Sequence, residues 1–200
     1  MNACATRLGI PIPDQLPDED LIDKGIRGVD PKQVYRRPAV SAYTALSEGK
    51  PFEVAKSIGE LRLMQLIGGD LQLTKRQTSN TNLQVMSGDG IQYYRRTLTG
   101  DENCALCVIA STQRYRIQRR LMPIHPGCDC GQEPLPKNQA WEQVIDPDTL
   151  EAAHDAVENA GFTADRSGRA PDYRKLIVTS NHGEYGPVMS LADYQETKKD

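Results

Sequence analysis

Four of the five cysteines in this 200-residue chain fall in one short window, and one of the three histidines lies among them. They are arranged as Cys104-Ala-Leu-Cys107 and then His125-Pro-Gly-Cys128-Asp-Cys130. A tetrahedral zinc ion takes four ligands from thiolate and imidazole, and a Cys-x-x-Cys pair delivers two sulfurs from one tight turn. The window therefore constrains the fold more than any other feature, because two separated stretches must converge on one point. Cys104, Cys107, His125, Cys128 and Cys130 exceed a mononuclear site by one. Either Cys128 or Cys130 stands behind the ligands, or His125 supports the site without ligating it. Sulfur donors predominate and Asp129 is the only carboxylate in the motif, so the pattern favours a closed, structural Zn2+ over a catalytic one with an open position. The plainer alternative is a set of reduced thiols, or a disulfide formed after release from the cell.

A metal would also supply what the composition lacks. The chain is 38% hydrophobic and only 6% aromatic, with a mean hydropathy of -0.57. A structural zinc contributes apparent binding free energy on the order of 10–16 kcal/mol, comparable with the whole stability of a small domain. The formal charge of -3 argues against a dedicated nucleic-acid coat, which carries a strong basic excess. No apolar run approaches the roughly 18–20 residues of a membrane span, and Pro11 and Asp14 come too early for a signal peptide. The expectation is a soluble protein made in the cytosol, with no membrane partner. There, closely spaced cysteines serve as metal ligands more often than as disulfides. Cys4 lies far from the window and reads as an incidental thiol.

The pattern predicts an α+β chain in which helical arms flank a small, zinc-stapled, β-containing central domain. Residues 1–29, with Pro11, Pro13, Pro17 and Asp18-Glu-Asp20, read as a flexible leader. Residues 30–90 read as helical. Asp30-Pro31 is an N-cap followed by proline at the first helical position, leading into a stripe of Val40, Tyr43 and Leu46, with Pro38 expected to kink or restart the helix. Gly49 and Pro51 end it. Val54, Ile58, Leu61, Met64, Ile67 and Leu71 then recur at spacings of three and four, which predicts an amphipathic helix with a weak point at Gly68-Gly69. The polar stretch beyond Leu73 reads as solvated helix or frayed chain, and the two helices as a hairpin.

Residues 91–136 form the predicted zinc-knuckle-like core. A strand over Ile91–Thr99 feeds the cysteine window, Tyr115–Ile117 is a second short strand, and a Pro-rich connector follows Cys130. Residues 137–200 hold a helix starting at Asp146-Pro147-Asp148, striped by Leu150, Ala153, Val157 and Ala160 and capped at Gly161, then a strand and turn from Tyr173 through Pro187.

Arg95, Arg96, Arg114, Arg116, Arg119 and Arg120 surround the window, interleaved with Tyr93, Tyr94 and Tyr115. Arginine with aromatics can bind phosphate and stack on bases, which makes a DNA-contacting face one reading; solvated or protein-docked arginines are the plainer one. His154 reads as a structural histidine beside its helix stripe. In His182-Gly-Glu184-Tyr-Gly-Pro187 the His and Glu form a candidate acid/base pair, although two glycines and a proline more simply mark a tight loop.

The string Tyr94-Arg-Arg-Thr-Leu-Thr-Gly-Asp-Glu-Asn-Cys104-Ala-Leu-Cys107, its continuation to Tyr115, and Leu121-Met-Pro-Ile-His125-Pro-Gly-Cys128-Asp-Cys130 resemble the MuF-like minor capsid, or head morphogenesis, proteins of tailed bacteriophages, especially actinobacterial phages. The likeness extends from about Gly28 through Ala45–Gly49 to Asp172–Val178 and His182–Pro187. It implies a low-copy component of the phage head, assembled in the host cytoplasm and carried in the virion. The implied partners are the phage portal and capsid proteins, and packaged DNA through the six arginines. The chain departs from the family in its short leader, where members often carry a longer helical region. A different class of function is a zinc-stabilised nuclease of the His-Asn-His type. Only His154 and His182 remain for its catalytic roles, and their spacing is poor for that task. A third reading is a sequence-neutral DNA-binding module.

Overall fold

A computed structural model describes residues 6, 9, 25–88, 90–99, 103–117, 121–125, 127–136, 142–159, 174 and 177–191. Cys4, Arg119, Arg120, Ala160, Gly161 and Tyr173 lie outside the described residues, as does most of the leader. Along the chain run α1 (Pro31–Ser47), α2 (Phe52–Gly88), β1 (Tyr93–Thr97), α3 (Ala105–Ser111), β2 (Arg114–Arg116), β3 (Gly131–Leu135), α4 (Pro147–Asn159), β4 (Ile177–His182) and β5 (Gly186–Leu191). This is an α+β arrangement of helices with small antiparallel sheets.

The α1 start is chemically explicit, since the Asp30 carboxylate accepts the Lys32 backbone N–H at 2.9 Å and Pro31 follows. One helix runs through Pro38 rather than restarting there. The backbone bond lost at Pro38 is offset by burial on both sides of it, at Val34 and Ala45. α2 likewise continues through Gly68-Gly69 and the polar stretch to Gly88, 37 residues in all.

The hairpin packs differently from the predicted stripes. Small residues set the closest approach on its buried face: a Cβ on Gly59 would sit 3.2 Å from the Ala42 Cβ and from the Pro38 carbonyl oxygen. Ala45, Ala55 and Leu66 are buried, whereas Val40, Tyr43, Leu46, Val54, Leu61, Met64, Ile67 and Leu71 are exposed. Small side chains let the helix axes approach closely, and that turns the larger apolar residues outward. Farther along α2, Leu73, Leu83 and Met86 are buried, and Leu73 and Leu83 join a core with Tyr94, Cys107, Met122, Ile124, Cys128, Cys130 and Met189. The second half of α2 thus belongs to the central region.

The three-stranded sheet has the order β2-β1-β3, all antiparallel. The predicted Pro-rich connector after Cys130 is instead strand β3, with Pro134 buried opposite Tyr94. Proline is tolerated there because β3 lies at the sheet edge, where an outward-facing N–H has no ladder partner to lose. β4 and β5 form a separate hairpin. α4 starts where predicted, with the Asp146 carboxylate accepting the Thr149 N–H at 3.1 Å, and buries Leu150 and Ala153 against Ile109 of α3. Among the described residues no helix is long and apolar enough to cross a membrane.

Candidate metal centre

Cys104 caps α3, its sulfur accepting the Cys107 N–H at 3.4 Å, so the Cys-x-x-Cys pair occupies the entry and first turn of that helix. The second half of the motif is a loop held from two sides. Ile124 is stitched to β5 by its N–H to the Pro187 carbonyl (3.2 Å) and by the Met189 N–H to its own carbonyl (2.7 Å). From α2, the Gln72 amide donates to the Cys128 carbonyl and the Lys75 ammonium to the Asp129 carbonyl. The loop turns at Gly127, whose φ of +79 is one that glycine adopts without a Cβ clash.

These supports bring the five predicted residues together. The Cys104 sulfur lies 2.9 Å and the Cys107 sulfur 3.1 Å from the His125 Nε2, and Cys107 lies 3.5 Å from the Cys128 sulfur. The donors form two overlapping triads, Cys104–Cys107–His125 and Cys107–Cys128–Cys130, whose atoms fall within 4.8 Å of one another. Cys107 belongs to both. A zinc–sulfur bond of about 2.3 Å implies sulfur–sulfur edges of roughly 3.8 Å in a tetrahedron, close to the observed spacing. The cluster can hold a metal ion, with Cys107 at its centre and Cys104 on the exposed side.

A residue read from the sequence as part of a DNA-contacting face proves to sit behind this cluster. Arg96 is only 3% exposed. Its Nη1 lies 3.8 Å from the Cys107 sulfur and 3.6 Å from the Cys128 sulfur, and its Nη2 donates to the Pro123 carbonyl. Burial alone would lower the guanidinium's pKa; the Cys107, Cys128 and Cys130 sulfurs more than reverse this, and the pKa is raised. Among the thiols, hydrogen bonds from Cys107 and then Cys130 hold Cys128 far below the ordinary thiol range, while its hydrogen bond with Cys128 pushes Cys107 up. A thiolate facing a buried guanidinium is a preformed soft-metal environment.

The other described arginines of that group are dispersed. Arg95 pairs with Glu133 at 2.7 Å, Arg114 stacks 4.3 Å over the Tyr93 ring, and Arg116 is exposed. Sequence reasoning missed Arg76, which is buried in α2 and donates to the carbonyls of Met122 (3.2 Å), Pro187 (3.2 Å) and Tyr185. Burial, and next the charge of Arg96, lower its pKa to about 10, so it remains a cation at neutral pH. It ties α2 to both the metal loop and the β4–β5 hairpin. A basic residue early in a polar helical stretch gave no sign of this role.

The His182–Glu184 turn is held by its own side chains. The His182 Nδ1 accepts the backbone N–H groups of Glu184 (3.1 Å) and Tyr185 (3.3 Å). Arg37 holds the Glu184 carboxylate at 2.6 and 3.0 Å, and Arg27 lies 3.4 Å away. Arg37 accordingly keeps the Glu184 carboxyl below its usual range. Arg27, from the end of the predicted leader, is buried against Asp70 (2.5 Å) and the Leu66 carbonyl (3.1 Å), in space that Gly69 leaves open. His154 is half-buried on α4.

No family model, curated protein or solved structure matches this chain.

Proposed function

We propose that the chain is a MuF-like minor capsid protein of a tailed bacteriophage, a non-enzymatic head-morphogenesis component built around one structural Zn2+. The observation that carries the metal half is the gathering of two donor triads, Cys104–Cys107–His125 and Cys107–Cys128–Cys130, which share Cys107, in front of the buried Arg96. Three or four thiolates around a divalent ion leave net negative charge, and an always-protonated guanidinium opposes it. The donor set is soft and sulfur-rich, as structural zinc prefers, and Asp129, the motif's only carboxylate, is exposed with its carbonyl engaged by Lys75. The zinc joins the start of α3 to the 125–130 loop.

The phage half rests on the resemblance of the motif and its flanks. A scaffold with exposed apolar helix surface and a stapled centre suits a protein that works by contacting portal and capsid subunits. Two experiments separate the halves. Metal analysis of the reduced, purified chain is expected to give one zinc per chain, and a metal-free protein refutes the zinc centre. Mass spectrometry of phage particles and proheads from the genome that encodes the chain is expected to find it at low copy; its absence from both refutes the capsid role.

A further inference from the structure

The apolar seam that marks α2 in the sequence is not used by the fold. Val54, Leu61, Met64, Ile67 and Leu71 are 42 to 69% exposed, although the opposite face of the same helix is packed through Ala55, Gly59 and Leu66. The seam has heptad spacing: Val54, Leu61 and Gly68 fall at one core position, and Ser57, Met64 and Leu71 at the other. Ser57 and Gly68 are also exposed, and a Cβ on Gly68 would meet nothing within 4 Å. A helix apolar on two opposite faces lacks a partner on one of them.

We infer that α2 pairs through this seam with α2 of a second copy of the chain, antiparallel about a twofold axis between Arg62 and Leu63. Antiparallel coiled helices match one core position with the other, and the order of side chains here is a palindrome in that sense. Val54 meets Leu71 of the second copy, Ser57 meets its Gly68, and Leu61 meets its Met64. Large residues thus face large ones at the ends and centre, and small face small between them. An isologous interface requires this self-complementarity. Glu60 falls opposite Ile67 and Glu53 opposite Thr74, so no two carboxylates oppose each other.

The area is sufficient. At these exposures each of the five side chains leaves on the order of 100 Å2 open to water, so two copies bury about 1,000 Å2, the threshold of a specific interface. The C-terminal half of the seam also borders a feature that fits the second copy. Gly68 and Leu71 line, with Gln72, Lys75, His125 and Val188 among others, a cleft of about 840 Å3 between α2 and the 124–129 loop. In the antiparallel pairing the second copy's hairpin tip arrives there, carrying the exposed Phe52. The pairing sets the two central regions at opposite ends of the seam.

The test is sedimentation equilibrium of the full reduced chain, with helix content by circular dichroism as the control for folding. The expected mass is twice 22.2 kDa. Leu61→Glu alone and Met64→Lys alone are expected to give monomers of unchanged helicity. The double variant carrying both changes is expected to restore the dimer, because position 61 faces position 64 across the axis. A wild-type chain that stays monomeric to about 100 µM overturns the inference and leaves the seam to a foreign helix. A dimer indifferent to Leu61→Glu moves the interface elsewhere, and a double variant that remains monomeric overturns the antiparallel pairing.

Discussion

Replacing Arg96 with methionine removes the positive charge behind the sulfur cluster while keeping an apolar side chain in its place. A unit charge 3.6–3.8 Å from a thiolate is worth roughly 4 kcal/mol at an effective dielectric near 20. Part of that is offset, because the guanidinium is itself desolvated and the neighbouring Arg76 remains. A net loss of about 2 kcal/mol follows, or roughly 30-fold weaker zinc binding, within the range found for groups that orient and charge-balance metal ligands. The pH dependence has a definite sign. Arg96 lowers the pKa of Cys107, Cys128 and Cys130, so its removal raises them and protons compete better with the ion. The pH of half-release therefore moves upward. The assay is chelator competition under reducing conditions at several pH values, with Arg96→Lys as the charge-retaining control. Arg96→Met binding within about threefold of wild type at every pH refutes electrostatic support of the site. A lysine variant as weak as the methionine one would assign the effect to the hydrogen bond with the Pro123 carbonyl instead.

Removing the proposed zinc with a chelator should lower the thermal midpoint and loosen the packing of α3, the 125–130 loop and β3, followed by near-ultraviolet circular dichroism; an unchanged melt would refute a folding role for the metal. Gly69→Ala places a Cβ 2.7 Å from the Arg27 Nη2 and should cost about 1–3 kcal/mol of stability by denaturant melt, opposite in sign to the usual gain for alanine in a helix. Glu184→Gln should cost about 1 kcal/mol at pH 7, allowing for partial solvent screening. Because the Glu184 carboxyl is lowered in the folded chain, that stabilisation is present above its unfolded pKa and disappears as pH falls through the lower folded value. Wild-type and variant melts should therefore converge in acid, and a difference that persists there would contradict the ion-pair account.

Local signals carried much of the fold. Asp30-Pro31 and Asp146-Pro147 each start a helix where capping chemistry predicts, Gly49 with Pro51 separates the hairpin helices, and β1 enters the cysteine window as its β-prone composition implies. Each depends on neighbours a few residues apart. The clustering of the candidate donors was legible for the same reason, because Cys-x-x-Cys and His-x-x-Cys-x-Cys are short-range geometries that suit one ion. β3 was not legible: proline argues against a strand until the strand is known to lie at an edge, and edge position is a property of the whole sheet.

The side on which a helix is buried, and the task given to a buried charge, were decided only in three dimensions. Periodicity located α2, but whether its large or its small face turns inward depends on how closely α1 can approach, and that is set by Gly59, Ala42 and Pro38 across the hairpin. Arg96 reads from sequence like the surface arginine beside it. Only the antiparallel register of β1 with β3, which alternates Arg95 outward to Glu133 and Arg96 inward to the sulfurs, separates a surface ion pair from a buried cation behind the cysteine cluster. Sequence alone specified the candidate donors and the helix starts, because those act over a few bonds; packing assigned the partners, because burial depends on residues far away in the chain.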